Sequence, residues 1–207
     1  CISSQSCTNK ERHKIYSCIM VKLNSPLTLK KFIIFKKFFN QTELETLKRY
    51  SFCLLRKGGF FEASEDSLGE TVIEGDAYFD SLLETNRKKV EQLTELQLLP
   101  LISKLKIFIN DSTDKPHKEV NHRQACVTIN IASDKIWKST IDGEEFFLDP
   151  GDAVFYTSNL FDFGKINKYE GDHYLELSFF YCQNNPEMQN FKFDGRSFLG
   201  CGHTKVI

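Results

Sequence analysis

The feature that most restricts how this chain can fold is a change of hydrophobic period at Pro100. Upstream, apolar residues recur three and four apart; downstream they alternate. Leu44, Leu47 and Leu54, with Tyr50 near the same stripe, predict a helix over 41–54, opened by a capping box of Thr42 and Glu45 and stopped by Gly58-Gly59. Phe79, Leu82, Leu83, Val90, Leu93 and Leu96 predict a second helix that starts at Asp76, runs to about residue 98 and is ended by Pro100. Beyond it the alternating sets are Leu105, Ile107, Ile109, then Ala125, Val127, Ile129, Ile131, then Leu175, Leu177, Phe179, Tyr181. Asp142-Gly143 reads as a tight hairpin turn, and Pro150-Gly151-Asp152 as a turn into a strand of Ala153, Val154, Phe155 and Tyr156. Two β-prone runs, 15–23 and 27–35, precede the helices and flank the turn Asn24-Ser25-Pro26. Helices followed by many short strands make an α+β chain whose strands close as a sandwich or barrel.

A length of 207 residues suits one domain, here 15–185, with helical support over 41–98 and core strands over 101–182. Residues 1–14 read as a flexible lead-in and 186–207 as a C-terminal tail, with Cys201-Gly202-His203 in a disordered stretch. With 27 Lys and Arg against 28 Asp and Glu, the chain has no overall field to steer it onto nucleic acid, and no nucleic acid partner is expected. Seven cysteines without a CxxC pair read as reduced, mostly buried thiols, which favours the cytoplasm. No apolar run reaches the length of about 18 residues needed to span a membrane. Gly-rich phosphate loops, nucleophile elbows and HExxH are absent from the sequence.

The opening stretch from Leu29 to Leu47, the run Asp149-Pro150-Gly151-Asp152-Ala153-Val154-Phe155-Tyr156 and the closing stretch Gly171 to Tyr181 resemble the Fe(II)/2-oxoglutarate-dependent oxygenases, prolyl hydroxylases among them. The resemblance implies a double-stranded β-helix, the cupin-like jelly roll, with N-terminal helices packed on one sheet. It also implies a His-x-Asp/Glu pair and a distal His on Fe(II), leaving positions for 2-oxoglutarate and oxygen. Two placements of the pair are open. Counting back from the strand at Ala125 gives Val120 and His122; a displaced loop gives His117 and Glu119. The distal position falls on Phe163, one residue from Asp162, a carboxylate able to complete a site with His117, Glu119 and His122. Where the family places an Arg or Lys for the cosubstrate, this chain has His173, on the side of Leu175 and Leu177 and so expected to face the barrel interior; Thr128 is the other expected cosubstrate contact.

The family pattern is thus kept in outline and altered at its diagnostic positions. The leading expectation is a catalytically degenerate, pseudoenzyme-like binding or regulatory module with a small-molecule or protein partner. An active Fe(II)/2-oxoglutarate hydroxylase with an atypical ligand set and a cupin-like small-molecule binder are the alternatives. Trp137, Phe146, Phe147, Phe155, Phe161 and Phe163 are expected to line the barrel or its mouth.

Overall fold

The computed structural model describes residues 16–18, 31–58, 61–62 and 70–201. In chain order the elements are β1 (Tyr16–Cys18), β2 (Phe32–Phe35), α1 (Gln41–Lys57), β3 (Phe61–Glu62), β4 (Glu70–Glu74), α2 (Ala77–Thr94), β5 (Leu98–Phe108), β6 (Ala125–Ser133), β7 (Ser139–Ile141), β8 (Glu144–Phe146), β9 (Ala153–Tyr156), β10 (Phe163–Lys165) and β11 (Tyr174–Gln183). The rest of both early β-prone runs and the lead-in lie outside the described residues.

Two antiparallel sheets face each other as a jelly roll. The larger has the order β1-β2-β9-β6-β11-β5-β4-β3, the smaller β10-β7-β8. Both helices pack on the outer face of the larger sheet. Alternate residues of its central strands, Val127 and Ile129 of β6 with Leu175, Leu177 and Phe179 of β11, join Leu44, Leu47, Phe79 and Leu83 in one buried cluster. The opposite parity, Cys126 and Phe180, packs against Ile141, Phe146 and Phe163 of the smaller sheet. The alternation legible in the sequence therefore marks the helix-covered face of the sheet, and the barrel interior lies behind the residues between.

The helix boundaries differ from expectation for local reasons. At α1 the capping box is Asn40 with Glu43, two residues earlier than Thr42 with Glu45: the Asn40 side chain accepts from the Glu43 amide and the Glu43 carboxylate accepts from the Asn40 amide. Asp76 caps α2 as expected, but the helix ends where Glu95 turns left-handed at φ 60°, so the helical support stops at Thr94. Pro100 breaks nothing. It lies inside β5 beside a slip in the pairing with β11, where Ile102 faces Phe180 and Pro100 faces Tyr181 with Leu101 bulged between. It is also beyond the reach of β4, which pairs only with Lys104–Phe108, so β5 is an edge there and tolerates a residue without an N–H. Asp142 and Gly143, at φ 51° and 82°, form the expected hairpin between β7 and β8.

Residues 186–201 pack against the domain. A 3-10 segment, Pro186–Gly195, leads to Arg196, which is buried against α2 and β5. Arg196 donates to Asp80 at 2.7 Å, to the Leu101 carbonyl at 2.8 Å and to the Cys201 carbonyl at 2.8 Å. Asp80, fully buried on α2, also accepts from the Ser103 amide and hydroxyl and from the Gly200 amide. Cys201 is half-buried and donates to the Phe198 carbonyl, and Gly202 and His203 lie outside the described residues. Among the described residues the thiols are buried at Cys126 and Cys182, whereas Cys53 is exposed. Among the described residues no helix is long and apolar enough to cross a membrane.

Asp80 therefore ties helix, sheet and C-terminus through one carboxylate. Asp80→Ala strands a buried guanidinium, and chemical denaturation is expected to show a loss of about 3 to 5 kcal/mol; a loss within about 0.5 kcal/mol, typical of a surface site, contradicts that role.

Candidate functional site

The segment that joins β5 to β6 runs along the smaller sheet. His117 exchanges both backbone hydrogen bonds with Phe163 of β10, each 3.0 Å, so the segment extends that sheet by one more pairing. Gly164 makes this approach feasible, because a Cβ there would collide with Pro116 and the Asp114 carbonyl. The backbone thus sets His117 and Glu119 beside β10, with Phe163 opposite.

His117 Nε2 lies 3.8 Å from Glu119 Oε1, and His117 Nδ1 lies 2.9 Å from the Lys115 carbonyl. Glu119 Oε2 is 3.4 Å from Arg123 Nη1. The Glu119 carboxylate lifts the exposed His117 imidazole above the usual histidine range, against the smaller opposing effect of burial. Burial alone would raise Glu119, but His117, Lys104 and Arg123 outweigh it and hold the carboxyl at about 2. Phe163 contributes a carbon ring stacked 5.0 Å from Tyr156 in the inner apolar cluster.

The other expected site residues are placed elsewhere. His122 is not beside His117: its Nε2 is 2.7 Å from Asp194 Oδ1 and its ring stacks on Phe191 at 4.9 Å. Val120 is exposed. Asp162 lies in the turn before β10, its carbonyl accepting from the Asp142 amide. Among the described residues no three His, Cys, Asp or Glu side chains stand close enough to hold a metal ion. His173 corrects a sequence expectation: sharing the phase of Leu175 puts it on the helix side, 5.9 Å from the Phe52 ring of α1 and 3.8 Å from Asp134. Thr128 does face the interior, its hydroxyl 3.0 Å from that of Ser178. The aromatic set divides: Phe146 and Phe163 are inside, Phe155 faces the helices, Phe147 is exposed, and Trp137 packs in a separate cluster with Phe108, Tyr169 and Tyr174.

What the sequence did not announce is a buried layer of charge between the sheets. Lys165 of β10 lies 2.9 Å from Glu176 of β11 and donates to Ser139 at 2.9 Å and Tyr174 at 3.3 Å; the side chains of the pair are 0% and 1% exposed. Lys106 of β5 sits 3.1 Å from Glu70 and 3.3 Å from Asp114. Burial works against the charged form of Lys165, yet Glu176 and Tyr174 hold its ammonium up at about 12. Glu70 Oε1, Asp114 Oδ2 and both Glu176 oxygens lack a well-directed hydrogen bond among the described residues, so charge more than hydrogen bonding holds this layer.

An eight-stranded sheet facing a three-stranded one, the central pairing of β6 with β11 and the addition of the His117 segment to β10 decide the architecture. The chain has the fold of the Fe(II)/2-oxoglutarate oxygenases. Neither a protein-family model nor a curated protein matches its sequence. Among solved structures it is similar to a prolyl-4-hydroxylase from Pseudomonas putida, with 12% identity, a TM-score of 0.61, and coverage of 75% of this chain and 94% of that one. HygX from Streptomyces hygroscopicus, solved with nickel and 2-oxoglutarate, is 11% identical with a TM-score of 0.58, over 74% of this chain and 83% of that one. A prolyl hydroxylase from Trichoplax adhaerens, solved with a hypoxia inducible factor peptide fragment, is 10% identical with a TM-score of 0.61, over 74% and 84%.

The described residues do not by themselves fit iron and 2-oxoglutarate. The metal position offers one imidazole and one carboxylate already paired with Arg123, and a phenyl ring stands across from them. The interior cations Lys106 and Lys165 face protein carboxylates, and His173 points away.

The His117–Glu119 pair sets a pH window. A raised histidine adds stability fully below its ordinary 6.5 and loses it as pH rises through the folded value; a lowered glutamate adds stability above its ordinary 4.5 and loses it as pH falls toward about 2. The stability of the wild type relative to His117→Ala is expected to be greatest between these ordinary values and to shrink at alkaline pH in denaturant titrations. A difference that grows as pH rises above 6.5 contradicts the pairing.

Proposed function

We propose that this chain is a binding module built on an oxygenase jelly roll, catalytically degenerate, whose partner is a protein segment rather than an oxidisable substrate. One observation carries the reading: Phe163 stands opposite His117 where a third ligand is needed, so among the described residues the pair His117 and Glu119 has no completing donor. Three protein ligands are what the facial iron site of this fold requires. The buried pair Lys165 and Glu176 supports the same reading, since it fills the barrel interior with the protein's own ions. A peptide partner draws support from the Trichoplax structure of like fold, which holds a peptide fragment.

The contact of His117 with Glu119 at 3.8 Å favours one competing reading, an active hydroxylase that borrows its third ligand from a partner. A thermal-shift series separates the two. Anaerobic protein is heated with Fe(II) or Mn(II), with and without 2-oxoglutarate; a ligand at a hundredfold excess over its Kd stabilises the fold by about 2.7 kcal/mol, about 5 to 10 °C for a domain of this size. The binding-module reading expects no metal-dependent shift and none from 2-oxoglutarate. A metal shift enlarged by 2-oxoglutarate overturns it in favour of the hydroxylase.

A further inference from the structure

The residues around His122 form a preorganised receptor whose occupant is part of the chain itself. Arg123 has a side chain only 12% exposed, its guanidinium lying 5.0 Å over the Phe180 ring and flanked by Glu74 and Glu119. His122 stands next to it. Together they take one carboxylate, Asp194: Arg123 Nη2 donates to Oδ2 at 2.8 Å, and His122 Nε2 meets Oδ1 at 2.7 Å. Three residues before Asp194, the Phe191 ring lies flat on the imidazole, 4.9 Å away and 8° from parallel. The recognised pattern is an aromatic residue followed, three positions later, by an acid.

The segment that supplies this pattern packs through Met188 but leaves its own residues incompletely buried. Pro186–Gly195 buries no residue, and Phe191 is 39% exposed even while stacked. Phe193 and Asp194 are both left-handed, at φ 62° and 56°, before Gly195 at φ 75°, conformations that cost free energy for residues with a side chain and persist only where contacts impose them. By contrast the following residues are anchored by Arg196 and Gly200 on Asp80. One half of the segment is fixed on Asp80, and the other is held chiefly through one side chain, Asp194, on Arg123 and His122, so that release of a single carboxylate frees a segment that opens locally.

We propose that His122 and Arg123 form a recognition site for a peptide bearing an aromatic residue and, three positions later, a carboxylate, and that residues 186–195 occupy it in cis as a displaceable strap. This inference deepens the binding-module reading and names the partner chemistry. The cis segment competes at the effective concentration its tether imposes, of millimolar order, so the wild type binds such peptides with a reduced apparent affinity.

The test uses the full chain and a fluorescent synthetic peptide of residues 185–196. Asp194→Asn protein, checked for an unchanged melting temperature, is expected to bind the peptide at least about tenfold tighter than the wild type because the cis competitor is weakened. Peptides carrying Phe191→Ala or Asp194→Asn are expected to lose binding. Equal affinity of both proteins, no binding to either, or full binding of the Asp194→Asn peptide overturns the proposal. Hydrogen exchange on the wild type gives an independent reading: amides of 186–195 exchange faster than those of 196–201, and equal protection overturns the displaceable strap. Metal binding at His117 would end the binding-module reading without altering these peptide results, so the two failures are distinguishable.

Discussion

The structure depends on one interaction across its two sheets, the buried pair of Lys165 and Glu176. Lys165 comes from the smaller sheet and Glu176 from the middle of the larger, so the pair fixes the spacing of the jelly roll as well as its interior charge. Ions removed from water are costly, and such a pair persists only with close geometry and extra donors or acceptors, here Ser139 and Tyr174. Lys106, with Glu70 and Asp114, continues the layer toward the edge of β5. A barrel filled in this way is a structural core.

The charge layer explains what becomes of the site region. With the interior occupied by ion pairs and the Phe163 ring, polar chemistry is displaced to the segment before β6, where His117, Glu119, Arg123, His122 and Asp194 form a continuous chain of contacts. The network ends on the C-terminal strap. Gly164 underlies it, since only a residue without a Cβ lets the Asp114–Pro116 backbone lie on β10.

Much of the architecture was legible in the sequence because alternation, turn chemistry and capping are local. Asp142-Gly143 named its hairpin, Asp76 its helix, and the sets at 125–131 and 175–181 their strands. Pro100 misled because its effect depends on a bulge opposite Tyr181, a register property invisible within either strand alone. The site was less legible for two reasons. His173 and the alternating leucines were read as facing the barrel interior, yet with helices on one face of the larger sheet and the smaller sheet on the other, both parities are buried and the polar one is interior. The second reason is distance along the chain: Lys106 and Lys165 look like solvent-facing lysines, and nothing near Arg123 or His122 in sequence points to Asp194, some 70 residues on.

The most direct measurement of the central claim compares Glu176→Ala with the double variant Lys165→Met, Glu176→Leu by chemical denaturation. A closed ionic core predicts that the single change, which strands a buried ammonium, costs about 3 to 5 kcal/mol, whereas the apolar pair restores stability to within about 1 kcal/mol of the wild type or above it. A single variant that loses under about 1 kcal/mol, as an exposed ion pair would, contradicts the account, because the interior would then be open and solvated like a ligand cavity.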